Sequence, residues 1–312
     1  MNNYKIIFSR IGFNYLILAI TTLILQIIVF NILSITNPSF LDNITIKSTI
    51  AAICSYILPF IIFYWLMKRL KSTEIEKESI NLKTFLIYIG ITMTLIWIGN
   101  MIGSILTALL GSAIHNNISN PVNQLINSTD LWFNFIIICV IAPIFEEIVF
   151  RKLLIDRTIQ FGARVSIILS AVLFGLYHGN LNQFCYAFLL GGFLGYVYVK
   201  TGKIHYTIIL HAITNFIGSI VVLFFAKSVA ALQTGASLID SIIVLSYAAF
   251  MLLFIILGVY GLSKFKKAKF NGSKTEINLK YPFNTMFVNY GMLFFIAYFI
   301  IHITMQIFQW NK

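Results

Sequence analysis

The chain has 312 residues, of which 59% are hydrophobic and only 10% are charged, and its formal net charge is +12. Because a water-soluble domain carries about 25% charged residues, this composition excludes a protein whose whole surface faces water. The basic residues lie in short clusters beside apolar runs, which argues against nucleic-acid binding and favours basic loops that face anionic lipid. We therefore expect an integral membrane protein whose main partner is the lipid bilayer.

Apolar runs of about 20 residues predict transmembrane helices, since a helix rising about 1.5 Å per residue must cross about 30 Å of hydrocarbon. The expected fold class is all-α, a polytopic transmembrane bundle of about nine spanning helices. The predicted spans, in chain order, are residues 11–33, 47–67, 84–110, 131–160, 164–180, 183–199, 204–226, 239–262 and 283–308. The first run is long enough to span and is interpreted as a retained helix, not a cleaved signal peptide.

The connections between the predicted spans alternate between basic and nearly uncharged. The basic connections all fall on one side of the bilayer, and they include residues 68–83, 157–164, 200–203 and Lys264–Lys280. By the positive-inside rule this side is cytoplasmic, which predicts a multi-pass protein of the cell membrane with a cytoplasmic N-terminus. We divide the chain into N-terminal membrane helices (1–130), a central region (131–226) and C-terminal membrane helices (227–312).

Charged and strongly polar residues concentrate in the central region. A charged side chain in the middle of a spanning helix costs at least about 2.5 kcal/mol, so such residues are candidates for function. The candidate site residues are Glu146, Glu147 and Arg151 in the fourth span, His178 in the fifth, and His211 and Asn215 in the seventh.

Helical spacing predicts how some of these side chains are arranged. Glu147 and Arg151 are four residues apart, so they share a helix face and can form an ion pair. Glu146 is turned about 100° away and can face another helix. The fourth and fifth spans form an antiparallel hairpin in which Glu146 and His178 lie at the same depth, about 24 Å from the turn. His211 lies nearer its own turn, at about 15 Å.

The chemistry of these groups fits hydrolysis of an amide bond. Arg151 keeps Glu147 ionised and structural, so Glu146 is the better candidate for a general base. His211 and Asn215 are four residues apart and can donate hydrogen bonds to a developing oxyanion. The competing interpretation is a buried polar network that only fixes helix packing.

The cysteines and the other histidines are interpreted as structural. Cys54, Cys139 and Cys185 all lie in apolar runs, with no CxxC pair, so no disulfide framework is expected. Cys139 lies two turns before Glu146, but nothing near it in the sequence would activate a thiol nucleophile. Structural roles are also expected for His115, His205 and His302.

The three motifs resemble those of the CPBP family, which groups type II CAAX prenyl endopeptidases with bacteriocin-processing and immunity proteins. The family pattern is EExxxR, then FxxxH, then HxxxN, and this sequence matches it in order with Glu146-Glu147 and Arg151, Phe174 and His178, and His211 and Asn215. The resemblance covers about Ala142 to Phe216, a quarter of the chain. Lys152 departs from the glycine that many members have after the arginine.

The resemblance implies an intramembrane endopeptidase with a cavity open to the cytosol. Glu146 and His178 would activate water, and His211 and Asn215 would form the oxyanion site. The substrate would be a membrane-associated peptide, either prenylated or of the bacteriocin or pheromone type. No cofactor is expected, although Glu and His leave zinc open as an alternative.

Two other functions compete with this prediction. A non-catalytic immunity or scaffold protein of the same family would keep the polar network for packing alone. A transporter would need a continuous polar pathway and often an internal repeat, and the sequence shows neither. The sequence gives no prediction of the oligomeric state.

Overall fold

The computed structural model describes residues 3–116, 118–235, 237–265 and 276–308. Helices form nearly all of this part, and it contains no strand. We label the apolar helices α1 (Asn3–Thr36), α2 (Ile44–Lys68), α3 (Leu82–Ala113), α4 (Leu131–Phe161), α5 (Ala163–Tyr177), α6 (Leu181–Thr201), α7 (Ile204–Gln233), α8 (Leu238–Lys264) and α9 (Tyr290–Phe308).

Eight of these helices in the described ranges are long and apolar enough to cross a membrane, and α5 is the short one. The all-α polytopic bundle is therefore confirmed, with the fifth predicted span realised as a 15-residue helix. Such a helix rises only about 22 Å. It ends at Tyr177 because Gly179 adopts a left-handed conformation with φ of 66°, a common stop signal for a helix.

The C-terminal span also begins later than predicted. A short helix, Pro282–Phe287, precedes α9, and the two are separated at Val288 and Asn289. Asn289 starts α9 by accepting a 3.1 Å hydrogen bond from the Met292 backbone through its side chain. Of the predicted basic loop Lys264–Lys280, residues 266–275 lie outside the described residues.

The outer surface of the bundle is apolar. On α1 and α8, large side chains such as Ile27 (52% exposed) and Leu245 (70%) point away from the bundle. This surface suits contact with lipid acyl chains, as expected for a multi-pass membrane protein. Inside the bundle, α1 packs against α9, α3 packs between α6 and α8, and α5 packs on α6. The division of the chain into three regions stays a prediction.

Helix α4 lies at the centre of the bundle and is irregular. It contains two π-helical stretches, Asn134–Ile141 and Ile148–Leu153, on either side of the two glutamates. Carbonyl groups in these stretches accept side-chain hydrogen bonds from three other helices: Ile138 from Asn215 (2.9 Å), Val149 from Tyr15 (2.8 Å) and Phe150 from Ser170 (2.8 Å). Short π-helical stretches are frequent at functional sites. Here they tie the backbone of α4 to α7, α1 and α5.

The connections meet at the two ends of the bundle as the sequence predicts. Three backbone hydrogen bonds join the basic connections to one another or to the adjoining helix end: Thr73 to Asp156 (2.6 Å), Glu78 to Thr201 (2.8 Å) and Ile277 to Gln160 (2.8 Å). At the opposite end, Asn120 donates to Asn182 at 3.0 Å. Which end faces the cytoplasm stays a prediction.

Candidate active site

The predicted ion pair between Glu147 and Arg151 is present and completely buried. Arg151 Nε lies 3.0 Å from Glu147 Oε2, and both side chains have zero exposure. Arg151 also donates to Glu147 Oε1 through Nη2 at 3.2 Å. The two charges neutralise each other within one helix, which is how buried charges are normally tolerated. Glu147 is thereby held ionised in one orientation.

His211 contacts both glutamates through the two nitrogens of its ring. Its Nδ1 lies 2.9 Å from Glu147 Oε1, and its Nε2 lies 3.7 Å from Glu146 Oε2. An ionised carboxylate only accepts hydrogen bonds, so Nδ1 carries a proton and donates it to Glu147. Glu147 therefore fixes the ring so that Nε2 points towards Glu146. The sequence did not predict that a single ring would reach both carboxylates.

Glu146 is the accessible member of the pair. Its side chain is 25% exposed, whereas that of Glu147 is fully buried. It is the sixteenth of the 31 residues of α4 (Leu131–Phe161), in the middle of the span. A carboxylate in this position can meet water or a substrate, while its neighbour cannot.

His178 lies at the C-terminal end of α5, beside Phe174. Its Nδ1 is 2.7 Å from the Phe174 carbonyl oxygen, so this nitrogen donates and Nε2 is left as an acceptor in the neutral ring. The Phe174 ring meets the rings of both His178 and His211 edge to face, at centroid distances of 4.7 and 5.7 Å. Glu146 also interacts electrostatically with His178. Phe174 is thus the spacer between the two histidines.

Asn215 lies one turn beyond His211 on α7 and uses part of its side-chain hydrogen-bonding capacity. Its side-chain amide donates to the carbonyl of Ile138 in the first π-helical stretch, at 2.9 Å. A primary amide has a second N–H, which remains available to a substrate. Below it, Ser219 hydrogen-bonds the Asn215 carbonyl (2.7 Å) and contacts Cys139 (3.3 Å). Among the described residues Cys139 has no histidine partner, in keeping with its structural interpretation.

The sequence reasoning missed Ser170. This fully buried residue accepts a 2.9 Å hydrogen bond from Arg151 and donates one to the Phe150 carbonyl. It could have been found from spacing, because Ser170, Phe174 and His178 follow at intervals of four on one face of α5. Three tyrosines that also interact electrostatically with Glu146 were missed, and their wide separation in the chain left no signal: Tyr56, Tyr177 and Tyr186.

His302 and His205 take the structural places expected of them. His302 lies 3.1 Å from the Gly179 carbonyl and so braces the turn between α5 and α6. His205 packs against the ring of Tyr206.

The donor atoms do not form an evident metal centre. No group of three or more His, Cys, Asp and Glu side chains within the described ranges is arranged to hold a metal ion. Glu147 is committed to Arg151 and His211 through its oxygens. A metal would therefore have to rely on Glu146 and the outer nitrogens of the two histidines. The prediction of a site without a cofactor stays a prediction.

The comparisons with known proteins agree with the motif resemblance. Residues 128–217 match the family described as "Rce1-like: Type II CAAX prenyl endopeptidase Rce1-like". No curated protein and no solved structure matches the chain. The matched segment contains all six candidate residues, from the glutamates of α4 to Asn215 of α7. This match covers less than a third of the chain and, together with the three motifs in order, supports the resemblance of this segment to the CPBP family.

Proposed function

We propose that this protein is an intramembrane endopeptidase that hydrolyses a peptide bond of a membrane-associated peptide. The observation that carries the proposal is that two adjacent glutamates differ in burial and in their contacts. Glu147 is fully buried and held by Arg151 and His211, whereas Glu146 is 25% exposed and faces Nε2 of the same histidine. A purely structural network would have no need for an accessible carboxylate near the middle of a span.

Glu146 acts as the general base on a water molecule. The water donates one hydrogen bond to Glu146 and the other to Nε2 of His178, which is an acceptor because Nδ1 donates to Phe174. The water oxygen attacks the peptide carbonyl carbon, and its proton passes to Glu146. Glu146 then gives this proton to the leaving amine as the C–N bond breaks. The same carboxylate thus serves as base and acid.

His211 and Asn215 stabilise the oxyanion that forms during the attack. When its ring is protonated, His211 donates to Glu147 through Nδ1 and can donate to the substrate oxygen through Nε2. Asn215 supplies the amide N–H that Ile138 does not use. Such oriented donors act strongly where water is excluded. Glu147 and Arg151 position His211 and do not touch the substrate.

The substrate is a peptide held at the membrane, either prenylated or of the bacteriocin or pheromone type. The burial of the site within the bundle supports a substrate that reaches it from the bilayer or along the surface of the membrane. No metal is required in this mechanism.

The proposal is tested by Glu146→Gln, with Glu74→Gln in an exposed connection as the matched control. Peptides in membrane fractions and culture medium are compared by mass spectrometry, and protein abundance is followed by immunoblotting. We expect Glu146→Gln to reduce specific cleavage by about 100-fold or more, the lower bound for loss of a general base, at normal abundance. Unchanged peptide profiles at normal abundance would favour the non-catalytic scaffold instead.

A further inference from the structure

A polar cavity of about 610 Å³ opens at the end of the bundle opposite the basic connections. Its lining consists of eleven residues, and all but Ala108, Gly111 and Ile118 have polar side chains. None of them is Asp, Glu, Lys or Arg, although the chain as a whole carries a net charge of +12. The volume falls within the range of about 300–1,000 Å³ that is typical of ligand sites.

The cavity lies beside the C-terminal end of α3. Its wall is completed by residues 115, 116, 118 and 120, by the short helix Pro121–Ser128 and by Asn182 at the start of α6. Asn120 caps this helix through the Val122 backbone (3.0 Å) and donates to Asn182 on α6. Polar groups are tolerated within the depth of the membrane when they line a water-filled cavity.

Several polar side chains in the cavity wall have unused hydrogen-bond donors and acceptors. The side chains of Ser112, His115 and Asn123 have no hydrogen-bond partner within the described parts of the chain. His115 is also the one non-glycine residue of those parts with a positive φ, at 52°. Backbone conformations of this kind cluster at functional sites. These donors and acceptors are therefore free to meet a ligand.

The cavity wall lies close along the chain to the candidate active site. Asn182 lies in the wall, four residues after His178, and Asn180 between them donates to the backbone carbonyl of His178 at 3.1 Å. Four residues of chain span at most about 14 Å, which is about four residues of an extended peptide.

We infer that this cavity binds an uncharged polar segment of the substrate peptide, a few residues from the bond that Glu146 hydrolyses; the inference rests on the proposed function. Asparagine amides and hydroxyl groups both donate and accept hydrogen bonds, so they complement peptide groups and the side chains of Ser, Thr and Asn. A lysine or glutamate in the same place would lose hydration without gaining an opposite charge. The cavity thus selects neutral polar residues.

Two substitutions narrow the cavity and two neighbours serve as controls. Ser112→Phe and Asn123→Leu change lining residues, whereas Ala113→Phe and Asn127→Leu change exposed residues of the same two helices that do not line it. The full-length variants are placed in liposomes with a pool of farnesylated peptides randomised among Ser, Asn, Leu, Lys and Glu. Mass spectrometry then gives the sequence preference around each cleaved bond.

We expect the unaltered protein to prefer Ser or Asn over Lys or Glu at one or two positions within about five residues of the cleaved bond, on one side only. Ser112→Phe and Asn123→Leu should raise KM for the preferred peptides by about fivefold with kcat unchanged, as loss of one peptide hydrogen bond predicts. The controls should keep the original preference. Equal preferences in all four variants, with cleavage intact, would overturn the cavity inference and leave the proposed function standing.

A second measurement separates binding from cleavage. Peptides from the same pool carrying a benzophenone are photo-crosslinked to the Glu146→Gln variant, and the attachment sites are mapped. Attachment within residues 104–123 supports binding of a peptide segment in the cavity. Absence of Glu146-dependent cleavage from the same pool would contradict the proposed function, and with it the distance to the cleaved bond, but not peptide binding in the cavity. Attachment only elsewhere in the chain overturns the cavity inference.

Discussion

Arg151 is among the largest fully buried side chains in the described part of the protein, and each of its contacts belongs to the candidate site. Its guanidinium group meets Glu147 and Ser170 and lies 4.6 Å from the centre of the Phe174 ring. The group therefore links α4 to α5 by charge, hydrogen bonding and a cation–π contact. Its role is to hold the position of Glu147 and, through Glu147, of His211.

We predict that Arg151→Ala lowers the stability of the protein. Breaking a buried ion pair leaves the other charge uncompensated, which typically costs about 3–5 kcal/mol. Thermal unfolding in detergent and abundance in membrane fractions should both fall. Arg164→Ala, which removes an exposed arginine at the start of α5, is the control and should change neither.

The double variant Glu147→Gln, Arg151→Leu distinguishes charge from packing. Because it removes both charges, we expect it to recover part of the abundance lost in Arg151→Ala, without recovering cleavage. Normal abundance with lost activity in Arg151→Ala would instead make Arg151 a contact of the substrate or transition state.

The candidate site was only partly predictable at the scale of residues. The Glu147–Arg151 pair followed from spacing of four within one helix. The sharing of His211 by both glutamates did not, because neighbouring side chains on a helix diverge by about 100°. An imidazole ring between them can meet both, since its two nitrogens point in different directions. Single-helix geometry contains no information about where such a ring from another helix will lie.

At the scale of elements, α5 connects the site to the π-helical backbone of α4 through one hydroxyl group. Ser170 accepts from Arg151 and donates to the Phe150 carbonyl. We predict that Ser170→Ala leaves the Arg151 guanidinium and the Phe150 carbonyl without this partner. It should lower the free energy of unfolding by about 1–3 kcal/mol, as for other buried polar groups left unsatisfied. Thermal unfolding measures the loss.

Ser166→Ala provides the matched control for Ser170→Ala. Ser166 lies one turn earlier on α5 and is equally buried, but its hydroxyl bonds only to Gly162 at the start of the same helix. Loss of the Ser166 hydroxyl should therefore lower the unfolding temperature less than loss of the Ser170 hydroxyl. If both variants unfold at the same temperature, the link between α5 and α4 contributes no measurable stability.

Helices α3 and α6 pack closely at Gly99. A Cβ atom there would overlap the backbone of Tyr186, whose side chain interacts with Glu146. We predict that Gly99→Ala forces the two helices apart and costs about 1–3 kcal/mol, as overpacking of a core does. Gly192→Ala on α6 is the control, because a Cβ there lies 3.7 Å from Ala171, an ordinary contact. Equal unfolding temperatures for the two variants would contradict this close packing.

The elements themselves were largely predictable, with two physical exceptions. The apolar run 164–180 gives no sign that its helix stops at Tyr177, except that Gly179 follows and can adopt a left-handed conformation. The π-helical stretches of α4 have no sequence signature that we recognise. They are specified by hydrogen bonds from α1, α5 and α7, which are tertiary contacts.

At the scale of the whole molecule, composition alone predicted the class of fold. A chain with so few charges must hide its surface from water, and long apolar helices satisfy their own backbone hydrogen bonds in lipid. Charge placement then predicted which connections lie together, and the hydrogen bonds between Glu78 and Thr201 and between Ile277 and Gln160 show them at one end. Helices α5 and α6 form a hairpin that begins and finishes at this end of the bundle. The short α5 therefore does not change which connections lie on which side.

The remaining prediction concerns orientation. Positive-inside placement predicts that the end carrying the connection from Leu70 to Asn81 faces the cytoplasm. In a variant lacking Cys54, Cys139 and Cys185, a single cysteine at exposed Lys77 should stay unlabelled by an impermeant maleimide in intact cells and react after the membrane is opened. A single cysteine at Ser39, exposed in the connection after α1, should react in intact cells. The opposite pattern would invert the bundle and place the polar cavity on the cytoplasmic side, so the substrate segment bound there would be cytoplasmic.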